Sequence, residues 1–369
     1  MAITRMMPFN ANQQRTLLSE VGSATAVYEN RHELGHMMEH FSPRASDAVA
    51  GMDAEVARCE EELAYARAHK IKVLAIHDEV NYPARLRQCT DAPLILFQLG
   101  NVDLNARRII SVVGTRRCTE RGRDLCNRLA ADLARLQPGT LVVSGLAYGI
   151  DIAAHRAALA NGLPTLGVLA HGLDEIYPRL HRQTAIEMLD QGGLLTEFMS
   201  HTKIEKLNFV QRNRIVAGLS DATIVVESAL RGGSLITAEL ANDYSREVFA
   251  FPGRTTDVAS AGCLHLVRRN QAHLITSAKD LLDDLGWEAA AQPDGQGVMT
   301  FASEGGPAVS PEEQSILSAL RSSGGDLSVS DLIVKTALPA ARLTSFLLPL
   351  EMNGMVKKLA GNRYHLLIK

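Results

Sequence analysis

Four short segments of this sequence combine small residues with hydroxyls and charged groups in a way that suits holding a phosphate. They are Gly114-Thr115-Arg116-Arg117, Ser144-Gly145-Leu146-Ala147-Tyr148-Gly149-Ile150-Asp151, His171-Gly172-Leu173-Asp174 and Arg231-Gly232-Gly233-Ser234. Glycine lets a backbone approach a ligand closely, and the free N–H groups that open a helix attract anions. One such glycine needs no more explanation than a tight turn. Four, each lying beyond the end of a short apolar run, point to one crevice and a phosphate-bearing ligand. No GxGxxG follows the first of these runs and no GxxxxGK[ST] occurs anywhere, which argues against a dinucleotide site and against a P-loop ATPase.

The segment Lys203-Ile204-Glu205-Lys206-Leu207-Asn208-Phe209-Val210-Gln211-Arg212-Asn213-Arg214 places four cations around one phenylalanine, ahead of an apolar helix. Cations neutralise phosphates and an aromatic face stacks on an unpaired base, a pairing suited to single-stranded nucleic acid. The competing reading makes Phe209 a core residue and the cations a solvated face. For Arg212 and Arg214 two roles stand side by side, contact with nucleic acid or a structural role, which for Arg214 would be pairing with a carboxylate such as Glu197 or Glu227. Arg116, Arg117, Arg179, His181, Arg182 and Arg231 fall in loops expected to join the same rim.

Catalytic patterns are thin. Ser144 sits outside a GxSxG elbow, and no histidine is spaced to serve it. His155 follows Asp151 by four residues, a spacing open to a metal pair. The expected role of Asp151 is instead to complement a helix N-terminus, with His155 bonded locally. No catalytic residue, metal or cofactor is assigned.

The elements that must position these groups begin at residue 71. Apolar runs occur at Ile71 to Ile76, Leu94 to Leu99, Ile109 to Val113, Leu141 to Val143, Thr165 to Leu169, Leu194 to Phe198, Ala222 to Val226, Val248 to Phe251 and Ala272 to Thr276. Several alternate with helical stretches at Arg121 to Leu136, Ile152 to Asn161, Arg182 to Gln191 and Leu235 to Tyr244. Continuously apolar strands alternating with helices predict an α/β fold with a mainly parallel sheet covered on both faces, a Rossmann-like core over 69–287. In such a sheet, ligands sit beyond the carboxyl ends of the strands.

A small helical N-terminal domain is expected over 1–68, where Ala54 to Ala68 is rich in helix formers. A linker dense in Ala, Gly, Pro and Gln covers 288–311. Residues 312–369 outline a winged helix, with capping residues at Ser328 to Asp331 and a hairpin around Gly361. Pro349 should kink or end the third helix of that domain. That helix carries Arg342 as its one cation, so a protein contact is expected of it rather than DNA reading.

The 46% hydrophobic and 21% charged composition excludes a largely disordered chain. A net charge of -3 means that any polyanion site must be local. Five cysteines without a CxxC pair, no apolar segment of membrane-spanning length and no secretory signal give the expectation of a soluble, reduced, cytoplasmic protein.

Taken in order, SVVGTR (Ser111 to Arg116), VVSGLAYGIDIAAHRAAL (Val142 to Leu159), GLDEIYP (Gly172 to Pro178), FVQRNRIVAGLS (Phe209 to Ser220), VVESALRGGSLITAELA (Val225 to Ala241) and REVFAFPG (Arg246 to Gly253) closely resemble the DprA/Smf family of bacterial DNA-processing proteins. The resemblance covers about residues 70 to 285 and implies an extended Rossmann fold that dimerises and binds single-stranded DNA. It further implies protection of incoming DNA in natural transformation and help in loading the RecA recombinase. Carried over by position, the DNA-contacting residues are Arg116, Arg179, Lys206, Phe209, Arg212 and Arg214, with backbone donors from Ser144, Gly145, Gly232, Gly233 and Ser234. The chain departs from the family pattern at Gly232, where serine is usual, at Gly262-Cys263-Leu264 and at Asn270-Gln271.

Two other functions compete. Gly232 to Glu239 resembles the loop of phosphoribohydrolases built on a related core, in which Glu239 alone is placed to act as the acid. A transcription factor using the winged helix is disfavoured by the few cations of that domain.

Overall fold

The computed structural model describes residues 1–6, 9–37, 42–287, 311–323, 326–336, 338–352, 355–359 and 363–366. The chain divides into two compact units, Met1–Gln292 and Pro293–Lys369. The expected linker lies almost wholly outside the described residues.

Each of the nine apolar runs overlaps a strand: β1 (Lys72–Ala75), β2 (Ile95–Gly100), β3 (Ile109–Val113), β4 (Leu141–Ser144), β5 (Thr165–Val168), β6 (Gly193–Thr196), β7 (Ala222–Val225), β8 (Glu247–Ala250) and β9 (His273–Leu274). They form one sheet in the order β1-β2-β6-β5-β4-β3-β7-β8-β9. From β6 to β9 all neighbours are parallel, whereas β2 runs antiparallel to both β1 and β6. Every residue of β3, β4, β5, β6 and β7 is buried. Side chains alternate across a strand, so each such strand must be apolar on both faces. Ile109 and Val113 join one hydrophobic cluster while Ile110 and Val112 join the other. Where polarity enters the centre it is paired: Ser111 Oγ donates to Thr223 Oγ1 at 2.8 Å.

The N-terminal helices form no separate body. Leu17, Val27, Leu34 and Val49 share a cluster with Leu96, Ile109 and Leu141 of the sheet. Buried Glu62, on the helix Asp53–Ala68, accepts the Ser200 amide at 2.9 Å and pairs with Arg58 at 2.8 Å. The boundary expected at residue 68 therefore separates kinds of element, while one compact unit runs across it.

In the second unit, helices Pro311–Ser322, Val329–Thr336 and Ala340–Met352 pack with strands β10 (Asp326–Ser328), β11 (Val356–Leu359) and β12 (Arg363–Leu366). The strands are antiparallel in the order β10-β12-β11, and Ile316, Leu332, Leu343, Leu347 and Val356 form the core. Ser328 and Asp331 cap the second helix reciprocally, as the sequence suggests. The helix runs three residues beyond Pro349 to Met352 before ending. The tip of the hairpin lies outside the described residues. Among the described residues no helix is long and apolar enough to cross a membrane.

Candidate nucleic-acid interface

The chain leaves β3 toward β4, β5 and β6 on one side and returns to place β7 on the other. This reversal opens a crevice outside the carboxyl ends of β3 and β7, the place where open α/β sheets bind ligands. A cleft of about 520 Å³ lies there, lined among others by Gly114, Thr115, Arg116, Gly145, Lys206, Phe209, Arg212, Gly232, Gly233 and Ser234. Three of the four loops singled out by composition thus converge, together with the cation-aromatic segment.

The loop after β3 is held by backbone geometry. The Thr115 amide donates to Glu227 O at 2.7 Å, and the Ile150 amide donates to Thr115 O at 3.1 Å. Gly149 has φ of +80°, and a Cβ there would stand 2.1 Å from Thr115 O. Only glycine meets both demands. Arg116 is exposed at the tip, its guanidinium carbon 5.2 Å from the centroid of the Phe209 ring.

Phe209 is half-buried on the helix Lys206–Leu219, whose first turn also presents exposed Lys206 to the cleft. Tyr177 meets the Phe209 ring at 5.9 Å between centroids and 64° between planes, an edge-on contact. Tyr177 is a cleft residue that composition did not single out. Its place just before Pro178 and Arg179, among the rim cations, was the available signal. Arg179 is exposed in the short turn Arg179–His181 but does not line this cleft.

Of the two roles open to Arg212 and Arg214, the partners observed are structural ones. Arg212 reaches the cleft from beneath, is 3% exposed, and donates from Nη1 to Gly145 O at 2.7 Å and to Val168 O. Burial pushes its guanidinium down to about 10, against the pull of the Asp151 carboxylate. Arg214 is 6% exposed and points away from this cleft, donating to Asp91 O at 2.7 Å and pairing with Glu197. Glu197 is thus the partner the sequence offered. Its carboxyl is raised above the ordinary range by burial, with Arg214 opposing the rise.

The loop after β4 is tied down from within, and of the two backbone donors expected there the Gly145 amide is engaged. Ser144 is fully buried, and its Oγ donates to Val112 O at 2.6 Å. The Gly145 and Ala147 amides serve the buried Asp151 carboxylate, whose pKa is nevertheless raised by burial. Gly145 admits no side chain, because a Cβ would stand 2.4 Å from the Arg212 guanidinium. At the other loop, Gly232 caps the helix Gly233–Asp243, exposed Gly233 has open space around it, and Ser234 Oγ donates to Ser228 Oγ at 2.9 Å. The amides of Gly233 and Ser234 open that helix toward the cleft, as anion binding requires.

His155 is buried beneath the loop, its Nδ1 2.7 Å from Thr165 Oγ1, and is held at about 3 by burial first and then by Arg212 and His181. It pairs with a hydroxyl rather than with Asp151. No cluster among the described residues could hold a metal ion. Glu239, the acid required of a phosphoribohydrolase, is exposed on the helix Gly233–Asp243 and does not line the cleft. Glu227, the other carboxylate near the loops, is buried and accepts both the amide and the hydroxyl of Thr119.

Residues 72–286 match the family model for DNA recombination-mediator protein A, and residues 302–362 match that for the DprA winged helix domain. The chain belongs to the DprA/Smf family. It is 41% identical over 201 residues to DNA processing protein DprA of Streptococcus pneumoniae, covering 54% of this chain and 70% of that one. It is 35% identical over 294 residues to protein Smf of Escherichia coli, covering 77% and 75%. The X-ray structure of the Streptococcus pneumoniae DprA superposes with a TM-score of 0.59 at 32% identity, over 75% of this chain and 99% of that one. A structure of the Helicobacter pylori family member, described for its unique mode of binding single-stranded DNA, gives a TM-score of 0.52 at 30% identity, over 58% and 95%. Membership of this family agrees with the parallel core and the winged helix described above.

Proposed function

We propose that the cleft holds single-stranded DNA and that the protein is a recombination mediator rather than an enzyme. The observation that carries this reading is the meeting of Phe209, Arg116 and Lys206 at the crevice between β3 and β7. A base stacked in the aromatic pair of Phe209 and Tyr177 sets its flanking phosphates against Arg116, Lys206 and the first amides of the helix Gly233–Asp243. A rigid duplex offers no unstacked base to such a platform. The finer role is to shield incoming single strands during natural transformation and to hand them to the RecA recombinase, as a homodimer in the cytoplasm. Family membership supports that role.

The test is titration of a labelled single-stranded oligonucleotide and its blunt duplex against the full chain across a salt series. Single strands are expected to bind with little sequence preference and duplex much more weakly. Affinity should fall steeply with salt as counterions are released. Equal affinity for the two forms would remove the stacking platform from the account.

A further inference from the structure

A second groove, of about 450 Å³, adjoins the first across the loop that follows β3. Its lining includes Arg116, Arg117, Arg123, Arg156 and Tyr148. Arg116 lines both grooves, so one guanidinium stands at the threshold between them. No carboxylate lines the second groove among the described residues. Glu120, exposed at the start of the helix Glu120–Leu136, is paired to Arg123 of the same helix.

Two of the groove's arginines are anchored, Arg117 through its backbone and Arg156 through its guanidinium. The Arg117 amide is tied to Thr115 Oγ1 at 3.2 Å, and Arg156 Nε donates to Thr184 Oγ1 at 3.3 Å. Tyr148 is 44% exposed and stands edge-on to buried His181, 5.1 Å between centroids. His181 is itself fixed to Leu146 O at 2.8 Å. Three exposed guanidinium groups beside one half-exposed aromatic ring repeat, on a second surface, the chemistry of the first cleft.

We propose that this groove is a second subsite for the same nucleic-acid strand. The strand passes from the Phe209 cleft over Arg116 and lays its next phosphates along Arg117, Arg123 and Arg156, with one base against Tyr148. The inference rests on the single-stranded DNA reading of the first cleft. It fixes the direction in which the footprint extends. The Glu120 pair does not compete strongly, because an exposed ion pair is worth little and yields to a phosphate.

The experiment compares oligothymidylates of about six and about twenty nucleotides, which span the site sizes of single-strand binders. They are titrated against the full chain and a variant carrying Arg117→Ala, Arg123→Ala and Arg156→Ala. All three side chains are exposed, so the variant should melt as the parent does. For the long strand the variant should bind at least tenfold more weakly, and its salt slope should fall by about two units, given roughly 0.7 per phosphate contact on a single strand. The short strand, seated in the first cleft, should bind both proteins alike. Tyr148→Ala should weaken only the long strand, by about tenfold. Unchanged long-strand affinity and slope in the triple variant would overturn the second subsite and leave the first cleft standing. Failure of the parent to bind either strand would overturn both.

Discussion

Successive turns of the helix Lys206–Leu219 both carry cations and use them in opposite ways. Lys206 and Phe209, in the first turn, face an open cleft, and Arg116 reaches across to cover the ring at 5.2 Å. Arg212 and Arg214, one turn on, are buried against Gly145, Val168, Asp91 and Glu197. Three cations and one aromatic ring therefore divide into a ligand-facing pair and a scaffold pair. A buried guanidinium is retained when carbonyls or carboxylates accept from it, and here Gly145 O, Val168 O, Asp91 O and Glu197 do so, while Arg212 Nε has no partner among the described residues. The scaffold pair still serves the site indirectly. Arg212 occupies the space a side chain at position 145 would need, and so sets the position of the loop that follows β4.

The comparison breaks most easily at Arg214. Arg214→Ala strands Glu197 as a buried, unpaired carboxylate and should lower folding stability by about 3–5 kcal/mol, measured by denaturant unfolding at neutral pH. A change below about 1 kcal/mol would place Arg214 in the same class as Lys206. Phe209→Ala should do the reverse. It should weaken single-strand binding by about 1–3 kcal/mol while leaving the melting temperature nearly unchanged. A core phenylalanine would instead lose about 3–5 kcal/mol of stability.

The buried half should also carry a pH signature. His155 is held at about 3 in the folded protein, against an ordinary value of about 6.5. Below that ordinary value the unfolded chain takes up a proton that the folded chain refuses, so stability is lost as pH falls from near 6.5 toward 3. The slope contributed by this one group approaches about 1.4 kcal/mol per pH unit. Asp151 and Glu197, both raised by burial, act in the opposite sense in acid, so the contribution of His155 is read as the difference between the parent and His155→Gln. Identical pH profiles for the two proteins would show that His155 titrates freely. The smallest effect belongs to Lys206→Ala. It should reduce the salt slope of single-strand binding by about 0.7 with stability unchanged, and an unchanged slope would take Lys206 off the phosphate path.

Much of this architecture was legible in the sequence because burial on both faces leaves a plain signature. Runs such as Ile109 to Val113 and Ala222 to Val226 have no polar face to offer solvent, and they became the central strands. The loops at Gly114, Gly145 and Gly232 were legible as a converging set because a parallel sheet puts the carboxyl ends of its strands on one edge. The antiparallel direction of β2 was not legible, since an apolar run reads the same in either sense. Nor was the sharing of a core across residue 68, which depends on contacts such as Leu17 with the sheet. For Arg212 and Arg214 the sequence left the choice between a structural role and a nucleic-acid contact open for the same reason. Their partners lie at positions 91, 145, 168 and 197, and only the folded chain brings them within 3 Å. The engagement of the Gly145 amide by Asp151 is likewise a product of the turn rather than of composition.

The central claim is that a base stacks at Phe209 in the cleft between β3 and β7. Its most direct test is photocross-linking of a single-stranded oligonucleotide containing iododeoxyuridine to the full chain, followed by mapping of the modified peptides. The account predicts adducts on Phe209 or Tyr177, lost in the Phe209→Ala variant when the adduct sits on the ring itself. Adducts confined to residues 311–366, with none in the peptides carrying Tyr177 and Phe209, would contradict it.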